Sequence, residues 1–271
     1  MMKHSPRSAK IYLGILLAMM YLPIVIVIIF SFNESEMSTI WTGFTFDWYK
    51  KVFESRDLLE ALSNSVVLAV LSCAGAAVIG TLGAVGMTRS AMRSAGDGKK
   101  RPIEHVNGIV EYVSTLPIMI PEIILGMVFM VFFSLLGLKF GMLTLVIAHT
   151  AFCIPYVFMI VKARLVGMDP ALVEAARDLG ASEFRAFWDV TLPLITPGIL
   201  SGMLLAFAMS LDDVVISIFV TGARTVTLPV KIYTQIKTGI TPEINALCTL
   251  MLIVTVGLVF LSGLFGRRTK D

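Results

Sequence analysis

Two adjacent acids, Asp212 and Asp213, stand inside an apolar run, with the hydroxyl residues Ser210, Ser217 and Thr221 around them. One carboxylate at the centre of a membrane-crossing helix costs about 2.5–3.5 kcal/mol on insertion scales, so two acids there need a compensating role. Carboxylate and hydroxyl oxygens can replace part of the water around ammonium groups and hold a polycation weakly enough to let it go. Neighbouring residues on a helix point about 100° apart, whereas Ser210, Asp213, Ser217 and Thr221 recur at i+3 or i+4 and share one face. This spacing predicts that Asp213 faces a polar cavity and that Asp212 sits beside the stripe. If the run is entered near residue 195 and heads outward, a rise of about 1.5 Å per residue puts the pair about 25 Å along it, in the outer half of the membrane. The alternative is that one or both acids pair with a basic residue or cap polar groups at a subunit interface. Glu122, directly after Pro121, is a second candidate for a cavity lining. It equally suits the first turn of a helix, where the macrodipole favours negative charge.

The elements that must position these groups are membrane helices. A chain with 56% hydrophobic and 15% charged residues, and a mean hydropathy of +0.85, is too apolar for a soluble globule. A hydrocarbon core about 30 Å thick needs about 20 helical residues per crossing. Six runs qualify, at about 11–32, 61–87, 117–137, 142–164, 195–220 and 246–266, and they predict an all-α polytopic fold read as one domain over 1–271. The third run can be extended back to Gly108, with Pro117 and Pro121 kinking it. The first is too long for a signal-peptide core and lacks a small-residue cleavage site, so it reads as a retained span.

Lys and Arg set the orientation. Lys3, Arg7 and Lys10, then Arg89, Arg93, Lys99, Lys100 and Arg101, then Arg267, Arg268 and Lys270 all fall on one side of a six-span chain. The first opposite loop carries Glu34, Glu36, Asp47, Glu54, Asp57 and Glu60 against Lys50, Lys51 and Arg56. Both termini are then cytoplasmic, although Arg224, Lys231 and Lys237 in the loop at 221–245 pull weakly the other way. The net charge of +3 expresses this asymmetry and gives no sign of nucleic-acid binding. Cys73, Cys153 and Cys248 stand singly in apolar runs and read as buried free thiols without metal or disulfide. His149 is a lone imidazole in an apolar run and reads as a packing residue. Trp41, Phe44, Phe46, Trp48, Tyr49 and Phe53 read as an aromatic belt at the outer interface, and Glu243, beside Pro242 and after Thr241, as a helix start.

Between the fourth and fifth runs lies a polar connector at 169–193. Asp169-Pro170 is a strong helix start, and Gly180 suits a left-handed helix stop after Leu179. Ser182 can cap a second short helix, and Pro193 marks the junction with the fifth span. These predict a helix–turn–helix elbow outside the bilayer. Ala175 and Ala176 give it a low profile that lets another protein's groove approach the backbone, and Glu174 and Arg177 give it charged edges.

The stretch EAARDLGASEFRAFWDVTLP at 174–193 resembles the signature of ABC-importer permeases: Glu-Ala-Ala, Gly four residues after the second Ala, then an aliphatic residue before Leu192-Pro193. It departs only in having Val190 where Ile is usual. The segments IWTGFTFDWYKKVF (40–53), AHTAFCIPYVFMIVKARL (148–165), LDDVVISIFVTG (211–222) and TPEINAL (241–247) are similar to PotC-type permeases of spermidine/putrescine importers. This resemblance implies that Glu174, Ala175, Ala176, Arg177, Gly180, Leu192 and Pro193 form a coupling elbow docking in a cytoplasmic ATPase. It also implies two ATPase copies, a second related permease and an extracytoplasmic polyamine-binding protein as partners, in a bacterial cytoplasmic membrane.

No phosphate-loop motif occurs, and Gly96-Asp97-Gly98-Lys99-Lys100 lacks both its spacing and its hydroxyl. ATP and Mg are therefore expected in the partner ATPase, with no cofactor here. Other readings are a permease for another organic cation or a metal complex, or a secondary transporter or channel, which would not need the elbow. An intramembrane aspartyl protease needs two acids converging from separate elements, and Asp212 and Asp213 are adjacent.

Overall fold

Inside hydrocarbon every backbone N–H and C=O must find its partner within the chain, and a helix achieves this segment by segment. The computed structural model describes residues 7–35, 40–96, 102–239, 241–253 and 256. Its helices are α1 (Arg7–Phe30), α2 (Asp47–Glu54), α3 (Arg56–Gly96), α4 (Pro102–Met119), α5 (Glu122–Leu135), α6 (Met142–Val166), α7 (Ala171–Asp178) and α8 (Glu183–Ala186). A π-helical turn (Phe187–Thr191) leads into α9 (Leu192–Asp212), followed by α10 (Val215–Val220) and α11 (Leu228–Thr238), then α12 (Pro242–Ile253). The chain is all-α among the described residues.

The predicted spans differ from the observed helices in three places. The run at 117–137 is not one helix: Gly108–Met119 and Glu122–Leu135 meet at 109°. Pro121 has no N–H and is extended at φ −53, ψ 132, so the ladder stops there. The run at 195–220 is likewise interrupted, with α9 ending at Asp212 and Asp213 extended at φ −67, ψ 127. The second run is longer than 61–87, since α3 covers Arg56–Gly96. Four helices are long and apolar enough to cross a membrane, with the bent pair a further candidate, among the described residues. Of the run at 246–266, α12 covers the start; residues 257–266 lie outside the described residues. So do Lys3, Glu36, Lys99, Lys100, Arg101, Arg267, Arg268 and Lys270.

Contacts divide the chain into two units, one of Met1–Glu60 with Ile232–Asp271 and one of Ala61–Lys231. In the first, Asn33 organises the segment after α1. Its Nδ2 donates to Ile40 O at 2.7 Å, its Oδ1 accepts from Thr42 N–H at 3.0 Å, and Trp48 Nε1 donates to its carbonyl at 2.7 Å. Trp48 is thus a buried strut, unlike Trp41, Phe44, Phe46 and Phe53, which remain exposed.

The second unit is built on α6, whose Leu145, Phe152, Val157, Phe158 and Val161 are buried. Small buried residues of α9, Gly198, Gly202 and Ala206, let the two backbones approach. Gly126 of α5 does the same against α10: a Cβ there would lie 2.6 Å from Phe219 Cδ2 and 3.3 Å from Ile216 Cα. Gly126→Val is therefore expected to force α5 off α10 and destabilise the subunit by about 1–3 kcal/mol. A lower midpoint in a thermal-inactivation series of the solubilised complex checks this.

Candidate functional site

Two arrangements carry chemistry, and both lie in the second unit. At the elbow, Asp169 Oδ1 accepts from Ala171 N–H at 3.0 Å, fixing the start of α7. Its end is closed by Gly180 N–H donating to Arg177 O at 2.8 Å and Ala181 N–H donating to Ala176 O at 3.0 Å. This double closure requires a left-handed residue between them, and Gly180 supplies it at φ +86. Ser182 Oγ then accepts from Arg185 N–H at 3.3 Å to start α8, and Arg177 pairs with Glu183 across the turn at 3.4 Å.

No residue of α7 is buried. Glu174, Ala175, Arg177 and Gly180 are exposed and Ala176 half-buried. Leu179 is 90% exposed, and the exposed rings of Phe184 and Trp188 stack with centroids 6.1 Å apart. This polar connector thus leaves the apolar side chains of Leu179, Phe184 and Trp188 uncovered. Leu192 and Pro193 stand where the π-helical turn passes into α9, and Pro193 has no N–H to offer the carbonyls of that turn. The elbow is tied back to the spans by the Arg89 guanidinium, 5.0 Å over the Phe187 ring. Further into the bundle, Lys162 of α6 pairs with Glu111 of α4.

The second arrangement surrounds the break after α9. Asp213 is 8% exposed, and its two oxygens accept from the orphan N–H groups of α10, Oδ1 from Ile216 at 3.2 Å and Oδ2 from Ser217 at 2.8 Å. His149 Nε2 lies 3.4 Å from Asp213 Oδ2. The same ring reaches Ser210 Oγ through Nδ1 at 2.8 Å and Ser217 Oγ through Nε2 at 3.0 Å. Thr144 Oγ1 donates to Val220 O at 2.9 Å, holding the far end of α10 to α6. Thr221 turns away and donates to Thr225 O at 2.9 Å.

Ser210, Asp213 and Ser217 are thus brought together, around a buried imidazole. The helical-wheel expectation that Asp213 faces a cavity fails because the helix ends one residue earlier. Asp212 is exposed instead, at the C-terminal end of α9, where the helix dipole opposes a negative charge. Glu122 is also exposed, at the first position of α5 beside the other break. His149, which the sequence presents as a packing residue, is fully buried and also joins the two flanking serines. The available signal was the spacing of two serines seven residues apart, on either side of an acid, with one intramembrane imidazole to receive them.

Discontinuous helices with acids at their ends, and a helical connector presenting an apolar face, define a polytopic membrane transport domain. Residues 98–270 match the family described as "Binding-protein-dependent transport system inner membrane component", and the chain belongs to that family. It is 40% identical over 254 residues, 93% of this chain and 92% of the relative, to the spermidine/putrescine transport system permease protein PotC of Escherichia coli (strain K12). It is 36% identical over 239 residues, 86% and 81% of the two chains, to the putrescine transport system permease protein PotI of the same organism. A solved bacterial ABC transporter involved in the import of the acidic polysaccharide alginate superposes with a TM-score of 0.69 over 96% of this chain and 98% of that one. At 15% identity this likeness is one of fold.

Proposed function

We propose that this chain is the permease subunit of an ATP-driven polyamine importer and forms half of its translocation pathway. The observation that carries the reading is the 40% identity to PotC across nearly the whole chain, joined by acids left exposed at both helix breaks. Asp212 and Glu122 supply carboxylates to the route, while Ser210, Asp213 and Ser217 shape its wall. In this reading both termini are cytoplasmic, in the cytoplasmic membrane of a bacterium. A second related permease completes the pore, two copies of a separate ATPase bind ATP and Mg, and an extracytoplasmic protein delivers the polyamine.

The cycle is alternating access. ATP binding closes the ATPase dimer, the elbow at 169–193 moves with it, and the spans behind it open the cavity outward; hydrolysis resets them. The apolar face of Leu179, Phe184 and Trp188 supports docking of the elbow in a groove of the ATPase.

The test is ATP-dependent uptake of labelled spermidine by membrane vesicles carrying this subunit and its co-encoded partners. Saturable uptake that unlabelled putrescine blocks and amino acids do not is the expected result. ATP-driven activity without polyamine preference would move the substrate to another organic cation or a metal complex, and uptake indifferent to ATP would favour a secondary transporter or channel.

A further inference from the structure

The interruption after α9 is a mechanically weak place. No α-helical ladder crosses an extended Asp213, and α10 has six residues, too few to hold a helical conformation alone. A force arriving along α9 from the elbow would be absorbed there unless the two sides are clamped.

His149 spans that gap. It is completely buried, it is carried by α6, whose neighbouring residues are buried, and each of its ring nitrogens faces a different side of the break. Nδ1 meets Ser210 at the end of α9 at 2.8 Å; Nε2 meets Ser217 of α10 at 3.0 Å and the Asp213 carboxylate between them at 3.4 Å. A neutral imidazole offers one donor and one acceptor on opposite edges, and serine hydroxyls can take either role, while the acceptor-only Asp213 carboxylate beside Nε2 selects the tautomer with its proton there and leaves Nδ1 to accept from the Ser210 hydroxyl. Serves of this kind cannot come from a shorter amide: Asn places its nitrogen near the position of Nδ1 and Gln near that of Nε2, so each recovers one half.

We infer that His149 is a positioning residue that fixes the angle between α9 and α10, so that elbow motion reaches α10 as a rigid displacement. The inference rests on reading the chain as the moving half of an ATP-driven importer. Its consequence is that the imidazole governs coupling and leaves hydrolysis itself to the partner.

The test uses the assembled complex in proteoliposomes with His149→Ala, His149→Asn and His149→Gln. For His149→Ala, which leaves a cavity and two buried serine hydroxyls without their partner, we expect a lower complex yield and, per assembled complex, ATP hydrolysis close to that of the unaltered complex with spermidine uptake reduced about ten-fold, the scale of losing a buried hydrogen-bonded partner. ATP consumed per spermidine rises correspondingly, and His149→Gln restores more uptake than His149→Asn because it retains the link to α10. Unchanged uptake, or uptake and hydrolysis falling in step with complex yield, overturns the inference.

A second measurement does not depend on the solute. Spin labels at Leu204→Cys on α9 and Ile218→Cys on α10, both exposed positions, are introduced after Cys73, Cys153 and Cys248 have been replaced by Ser. The distance distribution should be narrow with His149 and broad with His149→Ala; equal widths overturn the clamp. If the unaltered complex hydrolyses ATP but moves no spermidine, the substrate reading fails while this distance still judges the clamp.

Discussion

Gly180→Pro is expected to abolish ATP-coupled uptake while the subunit still enters the membrane. Gly180 sits at φ +86, and proline is locked near φ −65. The substitution also deletes the N–H that donates to Arg177 O at 2.8 Å. A penalty of about 3 kcal/mol or more falls on a surface turn with no buried residue between positions 171 and 185, so it should open the angle between α7 and α8 and leave the core of α6 and α9 intact. Uptake should fall at least about a hundred-fold, since about 1.4 kcal/mol corresponds to a factor of ten. Gly180→Ala needs only the left-handed conformation of an ordinary residue, at about 1–2 kcal/mol, and should retain part of the activity. Glu174→Lys, which reverses charge on the exposed edge without straining the backbone, should also uncouple. Vesicle uptake normalised to the amount of inserted subunit is the measurement, and full uptake by the proline variant would remove the elbow from the mechanism.

The two neighbouring acids should part company on substitution. Asp213→Asn keeps one oxygen to serve two N–H groups and brings an amide toward His149, leaving a buried donor unpaired at about 1–3 kcal/mol. Complex yield and uptake should therefore drop together. Asp212→Asn removes a charge from an exposed position and leaves every hydrogen bond of the break in place. It should raise the KM for spermidine several-fold at unchanged yield. Gel filtration of the solubilised complex beside uptake kinetics separates the cases; if Asp213→Asn assembles fully and loses only uptake, the buried acid touches substrate after all.

The elbow was readable residue by residue because its signals are local. Asp169, Gly180 and Ser182 each act within four positions of themselves, so sequence spacing already contains the geometry. The breaks were not readable in the same way. Pro121 announced a kink, but a bend of 109° also needs α5 to find α10 through Gly126. Nothing in the run around Asp213 marks a helix end, as apolar residues continue on both sides. The helix stops because Asp213 is recruited to cap α10 and His149, more than sixty positions earlier in the chain, receives both flanking serines. A period of 3.6 applied straight through that point groups Ser210, Asp213 and Ser217 but sees neither the helix end nor the imidazole that buries them.

A π-helical turn holds one more residue than an α-helical turn, so the segment at Phe187–Thr191 shifts the angular phase of everything after it by about 100°. The stacked rings of Phe184 and Trp188 and the buried face of α9 that begins at Ile195 are set on different azimuths by that single surplus residue. Relaxing the turn to α geometry with all its residues kept would rotate α7 and α8 about the axis of α9, whereas deleting one residue would remove the surplus and leave both flanks on their present azimuths. The azimuth of the elbow relative to the buried face of α9 is thus set by the geometry of one turn.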